Sequence, residues 1–448
     1  MHLRILALGL LAVACGASSD DASGAAEPVS DTVEFPFDKP LGRERPLLFQ
    51  VSPFFGPGEE PNWVPAWNGA GYFAREGDSI TKRGTGPLKT PPEWSAPIGP
   101  FTNKATTLSV NTKLYATADG GVRVVTVTSE KRLAIQALTS TGTVSWLREL
   151  PGLDYARAAT PLPNGGFAFV AGNELAPGSI DTSKLLLVIL GPDGNETARG
   201  ELAPIRVESA DHPGLSVGDV RPGNGTPYPA ALAAYPDGGV VVVGQYGFSR
   251  MLDCMSTATN LIEVSPGGSQ CAFTSGMSYV ERFDAAGKSL WARRVGQPYT
   301  SFPNGLTSVA VGTDGSIVGT GGVIMTTDLK GGPSQALVMR FDANGQRVFS
   351  KSFPFGKAPG VFSQPEMTTF DAPVAAAGGA FDMVLHVPGG KEPCRIVRVE
   401  PDGALSNVQK LDALGTTAPK GDSLWCRMAK GSNVIGYVTY GNAAVLAP

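Results

Sequence analysis

Few side chains in this sequence have the types and spacing of a reactive centre. The chain has 3 His, and His2 sits at the extreme N-terminus, leaving His212 and His386. His212 lies in an Ala-Asp-His-Pro connector and His386 in the apolar run FDMVLHV. A Ser-His-Asp triad or a His-rich metal centre is hard to build from two such separated residues. Gly287-Lys288-Ser289 has the form of a phosphate-loop tail. Arg282 stands where the first Gly is required, however, and the flanks read as a hairpin rather than a strand entering a helix. Asp193, Asp237, Asp314 and Asp402 each precede a Gly. Asp before Gly is ordinary turn-tip chemistry, and no Asp-x-Asp-x-Asp-Gly calcium loop occurs. The chemistry-bearing residues therefore define no catalytic set, no cofactor site and no metal site. Phe54, Phe55, Trp63, Trp67, Tyr72 and Phe73 concentrate rings in a Pro-rich stretch. That stretch reads as a hydrophobic seal or as a sugar- or peptide-binding lip.

The cysteines point to a compartment. Arg4 is followed by an apolar run from Ile5 to Ala14 that is too short to span a bilayer, so residues 1–14 read as an export signal. The run ends Leu11-Ala12-Val13-Ala14-Cys15-Gly16. Small residues before a Cys resemble the bacterial lipobox, where the Cys thiol takes diacylglycerol and the chain is cut in front of it. The resemblance implies that Cys15 is lipidated and carries fatty acyl chains of the palmitate kind. Several chains on one Cys give stable membrane anchoring. Gly16, rather than Asp, follows the Cys, which by the same resemblance implies the outer membrane, facing the periplasm or the cell surface. Residues 15–35 are small and polar, a disordered tether. The other four cysteines, Cys254, Cys271, Cys394 and Cys426, are even in number and exported, which predicts two disulfides. Three pairings are possible. Cys254 with Cys271 would close one local loop, and Cys394 with Cys426 would tie neighbouring units.

Composition sets the fold class. The 448 residues hold 57 Gly and 37 Pro, while only 17% are charged and 8% aromatic. Such a chain is short of helix formers and rich in turn formers, which argues against bundles and coiled coils. Its hydrophobic fraction of 42% is too high for wholesale disorder. Removing Arg4 from 36 basic residues set against 40 acidic ones takes the net charge from −4 to −5. That balance gives no reason to expect nucleic acid as a partner.

The elements are hairpins, and they repeat. One hairpin recurs around Gly142, Gly194, Gly287, Gly345 and Gly403, with an Asp/Asn-rich tip ending in a Gly that supplies positive φ. A second precedes each, as in LAAYPDGGVVVVGQYG and VAVGTDGSIVGTGG. Runs such as Val240 to Val243 are continuously apolar, which fits a strand covered on both faces. Two hairpins make four antiparallel strands, and four-stranded units in tandem predict an all-β fold, a β-propeller. Clear repeats span 105–150, 155–203, 228–297, 304–354 and 367–412. Residues 420–448 hold an unfinished last unit within the propeller region 105–448, and the N-terminal segment 36–104 is expected to complete it with a ring-closing strand such as Leu47 to Ser52. The count is six blades, or seven if residues 46–100 form one of their own. A Cys-bounded loop at 246–278 and a Pro/Gly-rich connector at 204–229 interrupt the period and are expected on a rim.

Ala137-Leu138, Thr141-Gly142 and Trp146, then Phe283-Asp284, Gly287 and Trp291, then Phe341-Asp342, Gly345 and Phe349 resemble the repeats of pyrroloquinoline-quinone-type and related bacterial lipoprotein propellers. The resemblance implies that Trp146, Trp291 and Phe349 dock between blades. The dehydrogenases of that group need a Ca²⁺-bearing cofactor site with acidic ligands and a disulfide-bearing lid. This sequence has no vicinal Cys pair and no repeated acidic cluster. The resulting expectation is a lipid-anchored, non-catalytic binding or scaffolding propeller with a protein or glycan ligand at its rim loops. The alternatives are an enzyme acting on carbohydrate or alcohol at the central mouth and an envelope-assembly factor.

Overall fold

The computed structural model describes residues 47–51, 63–67, 70–84, 91–99, 112–128, 130, 132–172, 185–202, 205–206, 224–253, 263–264, 270–295, 305–324, 334–354, 369–386, 394–410, 427–430, 435–439 and 442–446. These residues form seven antiparallel sheets, six with four strands and one with six. Blade 1 holds Trp63–Pro65, Tyr72–Glu76, Ser79–Arg83 and Trp94–Pro97. Blade 2 holds Lys113–Ala116, Val122–Val127, Leu133–Leu138 and Val144–Leu150. Blade 3 runs through Tyr155–Pro161, Phe167–Gly172, Leu186–Leu190 and Glu196–Glu201. Blade 4 has Asn224–Ala234, Val240–Asp253, Gln270–Phe283 and Ser289–Val295, with Ile205–Arg206 and Glu263–Val264 added to it. Blade 5 holds Gly305–Val311, Ile317–Ile324, Ser334–Phe341 and Arg347–Pro354, and blade 6 holds Thr369–Ala375, Phe381–His386, Cys394–Val399 and Leu405–Lys410. Blade 7 consists of Arg427–Lys430, Ile435–Thr439 and Asn442–Leu446, completed by Leu47–Val51.

The sheets close into a ring. The first strand of each blade lies against the first strand of the next, from blade 1 round to blade 7 and from blade 7 back to blade 1. Leu47–Val51 pairs antiparallel with Asn442–Leu446 as the outermost strand of blade 7. Segments near the two ends of the chain thus share one sheet. A ring of this kind removes long free edges and buries both faces of every blade.

The packing explains the apolar runs. Val240 and Val242 are buried against blade 3, with Ala168, Leu187 and Ile189, while Val241 and Val243 are buried against blade 5, with Val309, Leu337 and Met339. Successive side chains on a strand point to opposite faces. Both faces are dry here, so alternation of polar and apolar residues disappears. The same sharing of cores links blades 1 and 2, 2 and 3, and 5 and 6. Each fully buried Val, Leu or Phe contributes about 1.5–3 kcal/mol by removal from water.

Three sequence expectations change. The segment 36–104 supplies more than a closing strand: residues 63–97 are a complete blade, so the ring has the larger of the two expected counts. Part of the expected 246–278 loop is instead sheet, because Val240–Asp253 and Gln270–Phe283 pair without interruption from Val240↔Phe283 to Asp253↔Gln270. Within the 204–229 connector, Ile205 and Arg206 pair with Gly225 and Asn224, extending the same blade. The extra length lies on the blade itself because both strands of the inserted hairpin continue the existing register.

Candidate functional site

Each of blades 1 to 6 is a meander, so its first–second and third–fourth hairpins share one end of the sheet. In blades 2 to 6 that end carries tight turns with positive-φ Gly, Gly120 and Gly142 in blade 2 and Gly315 and Gly345 in blade 5 being examples. Asp or Asn side chains cap the backbone of these turns. Asp193 accepts from the Asn195 N–H at 3.0 Å, Asp237 from Gly239 at 2.9 Å, Asp314 from Ser316 at 3.0 Å and Asp402 from Ala404 at 2.9 Å. These carboxylates are turn anchors. Asp314 is held below the usual carboxylate range: burial works against the charge, but the Ser316 hydroxyl and N–H and the nearby Arg340 outweigh it.

This turn face is clamped from blade to blade. Trp94 of blade 1 lies on Gly142 of blade 2 and donates to the Ser140 carbonyl at 2.8 Å. Trp146 of blade 2 lies on Gly194 of blade 3 and donates to the Pro192 carbonyl at 2.8 Å. Trp291 of blade 4 lies on Gly345 of blade 5. There the corresponding carbonyl, on Ala343, accepts from Arg282 at 2.6 Å, and the buried Trp291 Nε1 has no partner among the described residues. Phe349 is half-buried in the core shared by blades 5 and 6, and Lys351 takes the place on the next turn, its stem against Gly403 and its Nζ donating to Asp402 O at 3.0 Å. Between blades 3 and 4 no ring intervenes. A Cβ on Gly200 would sit 2.1 Å from the Gly287 carbonyl, so two backbones touch where the junctions of blades 1–2, 2–3, 4–5 and 5–6 hold a side chain. Arginines add a second clamp. Arg123 donates to Gly165 O at 2.9 Å and Arg340 to Gly379 O at 2.8 Å, each reaching a turn of the next blade.

The other end of the sheets is built differently. Second–third loops and blade-to-blade links join strand ends there, and these include 173–184, 325–333, 355–368 and 411–426, which lie outside the described residues. On this side the innermost strands carry a recurring β-bulge. It falls between Ala156 and Ala158, Pro229 and Ala231, Leu306 and Ser308, and Asp371 and Val374. The bulged residues Arg157, Ala230 and Thr307 are exposed, although Ala158, Leu306 and Ser308 beside two of them are buried. A bulge leaves one residue unpaired and re-aims its side chain. The Thr307 hydroxyl fills part of that gap by donating to Thr320 O at 3.4 Å. The guanidinium of Arg157 stacks over Tyr155 at 4.9 Å.

The other residues singled out by sequence scatter. His386 ends the second strand of blade 6, half-buried, opposite Thr369 and Cys394 in register. Cys271 pairs with Leu252 in register. Cys15, Cys254, Cys426 and His212 lie outside the described residues, as do residues 1–14, the 15–35 tether, Phe54 and Phe55. Trp63, Tyr72 and Phe73 are buried, with Trp63 and Tyr72 edge to face at 6.0 Å, so these rings are core of blade 1. Lys288 sits in a hairpin whose Asp284 caps its backbone N–H at 2.9 Å, which is no phosphate loop. Among the described residues, no three of His, Cys, Asp and Glu gather as metal ligands. Sequence reasoning missed Trp94, the Gly200–Gly287 contact and the arginine clamps. The spacing from Trp94 to Gly142, the same as that from Trp146 to Gly194, was the available signal for the first.

No protein-family model and no curated protein sequence matches this chain. Similar solved structures include the WD40 domain of Neurospora crassa Pan2, at 10% identity and a TM-score of 0.46, covering 90% of this chain and 94% of that one. A protein of unknown function from Bacteroides caccae is similar at 11% identity and a TM-score of 0.34, covering 79% and 95%. These likenesses concern architecture and carry nothing about ligand or chemistry.

Proposed function

We propose that this chain is a lipid-anchored envelope protein whose propeller is a non-catalytic binding or scaffolding module, presenting the face opposite the clamped turns to a protein or glycan ligand. The observation that carries the reading is the asymmetry of the two faces. Turn tips on one side are capped and locked to their neighbours by Trp, Arg and Gly contacts. The other side collects the long connections, and loops held by a rigid scaffold are where binding residues concentrate. The lipobox-like run ending in Cys15 supports the anchor, because several acyl chains on one residue suffice to hold a domain at a membrane.

The test has two parts. Cys15→Ser is expected to move the full chain from the membrane to the soluble fraction and to abolish labelling by an alkynyl fatty acid; unchanged fractionation and labelling would refute the anchor. Photo-crosslinking side chains placed at Arg157 and Thr307 are expected to trap envelope partners, while the same groups at Asp237 and Leu290 on the turn face are not. Trapping confined to the turn face would refute the assignment of faces.

A further inference from the structure

We propose that Asn195 is an N-glycosylation site, whose side-chain amide takes an oligosaccharide from a polyprenyl-diphosphate donor in the envelope. The inference rests on the reading that the chain is exported, and it adds a covalent modification on the clamped turn face.

The acceptor pattern Asn-x-Ser/Thr occurs twice in the sequence, at Asn195-Glu196-Thr197 and at Asn224-Gly225-Thr226. Asn224 pairs with Arg206 inside a sheet, and Pro227 follows its Thr directly, fixing the backbone beside the acceptor. Asn195 instead stands at the tip of the third–fourth hairpin of blade 3, one residue past the positive-φ Gly194. The fold makes no demand for Asn there. The residues that follow the turn Gly in the corresponding hairpins are Thr143, Lys288, Gln346 and Ala404, and all of these are exposed, as Asn195 is. Side chains this different share nothing but their access to solvent, so the turn itself does not account for an amide at this place.

The folded hairpin can carry a glycan here without losing a contact. Asn195 Oδ1 accepts from the Arg148 guanidinium at 3.0 Å, and Nδ2 donates to Asp193 Oδ2 at 2.6 Å. The amide nitrogen has two hydrogens, so replacing the second by a sugar leaves both bonds in place. The Asn195 backbone N–H stays on Asp193 at 3.0 Å, and Gly194 stays under the Trp146 ring. In the transfer, Nδ2 attacks the anomeric carbon of the donor sugar. The N–C bond forms, the C–O bond to the diphosphate breaks, and the amide proton passes to a base of the oligosaccharide transferase. Polyprenyl diphosphate leaves, and nothing is oxidised or reduced. The Thr197 hydroxyl, the second element of the pattern, donates to Ile189 O at 3.2 Å in the folded hairpin. Transfer therefore precedes closure of blade 3, while the hydroxyl is still free. A glycan on this turn is bulky and solvated, and it leaves the long connections of the opposite face open.

The full chain is purified from the envelope of its native cells and digested with trypsin. Cleavage after Lys184 and Arg199 isolates residues 185–199, which contain Asn195. Mass spectrometry is expected to show a saccharide increment on that peptide, with fragment ions placing it on Asn195. Asn195→Gln and Thr197→Val should abolish the increment, while Thr197→Ser and Asn224→Gln should retain it. The peptide map of the parent needs no variant and decides the matter where one fails to fold. An unmodified peptide 185–199 in a chain that is membrane-bound and acylated at Cys15 would overturn the proposal and leave export intact. An increment that survives Asn195→Gln or Thr197→Val, or one found on Asn224 alone, would also overturn it. A chain recovered unacylated, with residues 1–14 still attached, would remove the export reading and this proposal with it.

Discussion

The contact between Trp146 and Gly194 allows a quantitative test of how blades are joined. Trp146 is 7% exposed, its Nε1 donates to the Pro192 carbonyl, and Arg123 lies over its ring at 5.5 Å. Trp146→Ala removes a large buried ring and leaves a gap between blades, an expected loss of about 3–5 kcal/mol. Gly194→Ala acts on the same contact from the other side. Its φ is +77°, and a Cβ there would meet the Trp146 ring at 2.5 Å. The positive φ alone costs a non-Gly residue about 1–2 kcal/mol. Displacing the ring adds about 1–3 kcal/mol of overpacking. Gly152 separates the two terms, because its φ is +79° and a Cβ there would meet nothing within 4 Å; Gly152→Ala should show the backbone cost by itself. In the double variant Trp146→Ala/Gly194→Ala the clash is gone. The pair should therefore fall short of the sum of the singles by about 1–3 kcal/mol, as contacting residues do. Urea unfolding followed by circular dichroism, with the slope checked for constancy, measures all four variants against the parent. Additivity within about 0.5 kcal/mol, or a Gly194→Ala loss no larger than that of Gly152→Ala, would refute docking as the source of stability.

Arg340 donates to Gly379 O and to Asp314, with its side chain almost wholly buried, while the Arg199–Glu196 pair is largely in solvent. Arg340→Met is expected to lower stability by about 2–3 kcal/mol and Arg199→Gln by less than about 1 kcal/mol, read as shifts in urea midpoint; equal effects would contradict the clamp. Burial raises the Tyr235 hydroxyl to about 12, with Arg282 above its ring opposing the shift. A raised value means that its contribution is fully present below pH 10 and is lost as pH rises from 10 to 12. Tyr235→Phe should keep the parent's stability at pH 7 and flatten the alkaline limb of the stability curve across that window; an unchanged limb would show that another group titrates there.

Local signals made much of the architecture legible. The Asp/Asn-Gly tips around Gly142, Gly194, Gly287, Gly345 and Gly403 read as hairpins because a tight turn with positive φ is a property of a few adjacent residues. The valine run 240–243 read as a doubly covered strand for the same reason. Blade 1 was legible only as the alternative of a seventh unit within residues 46–100. Its first strand is three residues long, and the chain between its strands lacks the Asp-Gly tip that marks the others. The clamp residues divided in the same way, with Trp146 and Trp291 singled out by a family-like pattern and Trp94, Arg123 and Arg340 passed over.

The amino-acid order by itself determined the hairpins, their four-strand grouping and the requirement that they cover one another, since alternation, turn chemistry and apolar runs act over a handful of residues. Tertiary structure decided how many sheets close the circle, that Leu47 meets Leu446, and which turn of the next blade each of Trp94, Trp146 and Trp291 covers. Those facts depend on strand register and on closure across the whole length of the chain, and no short window of sequence contains either.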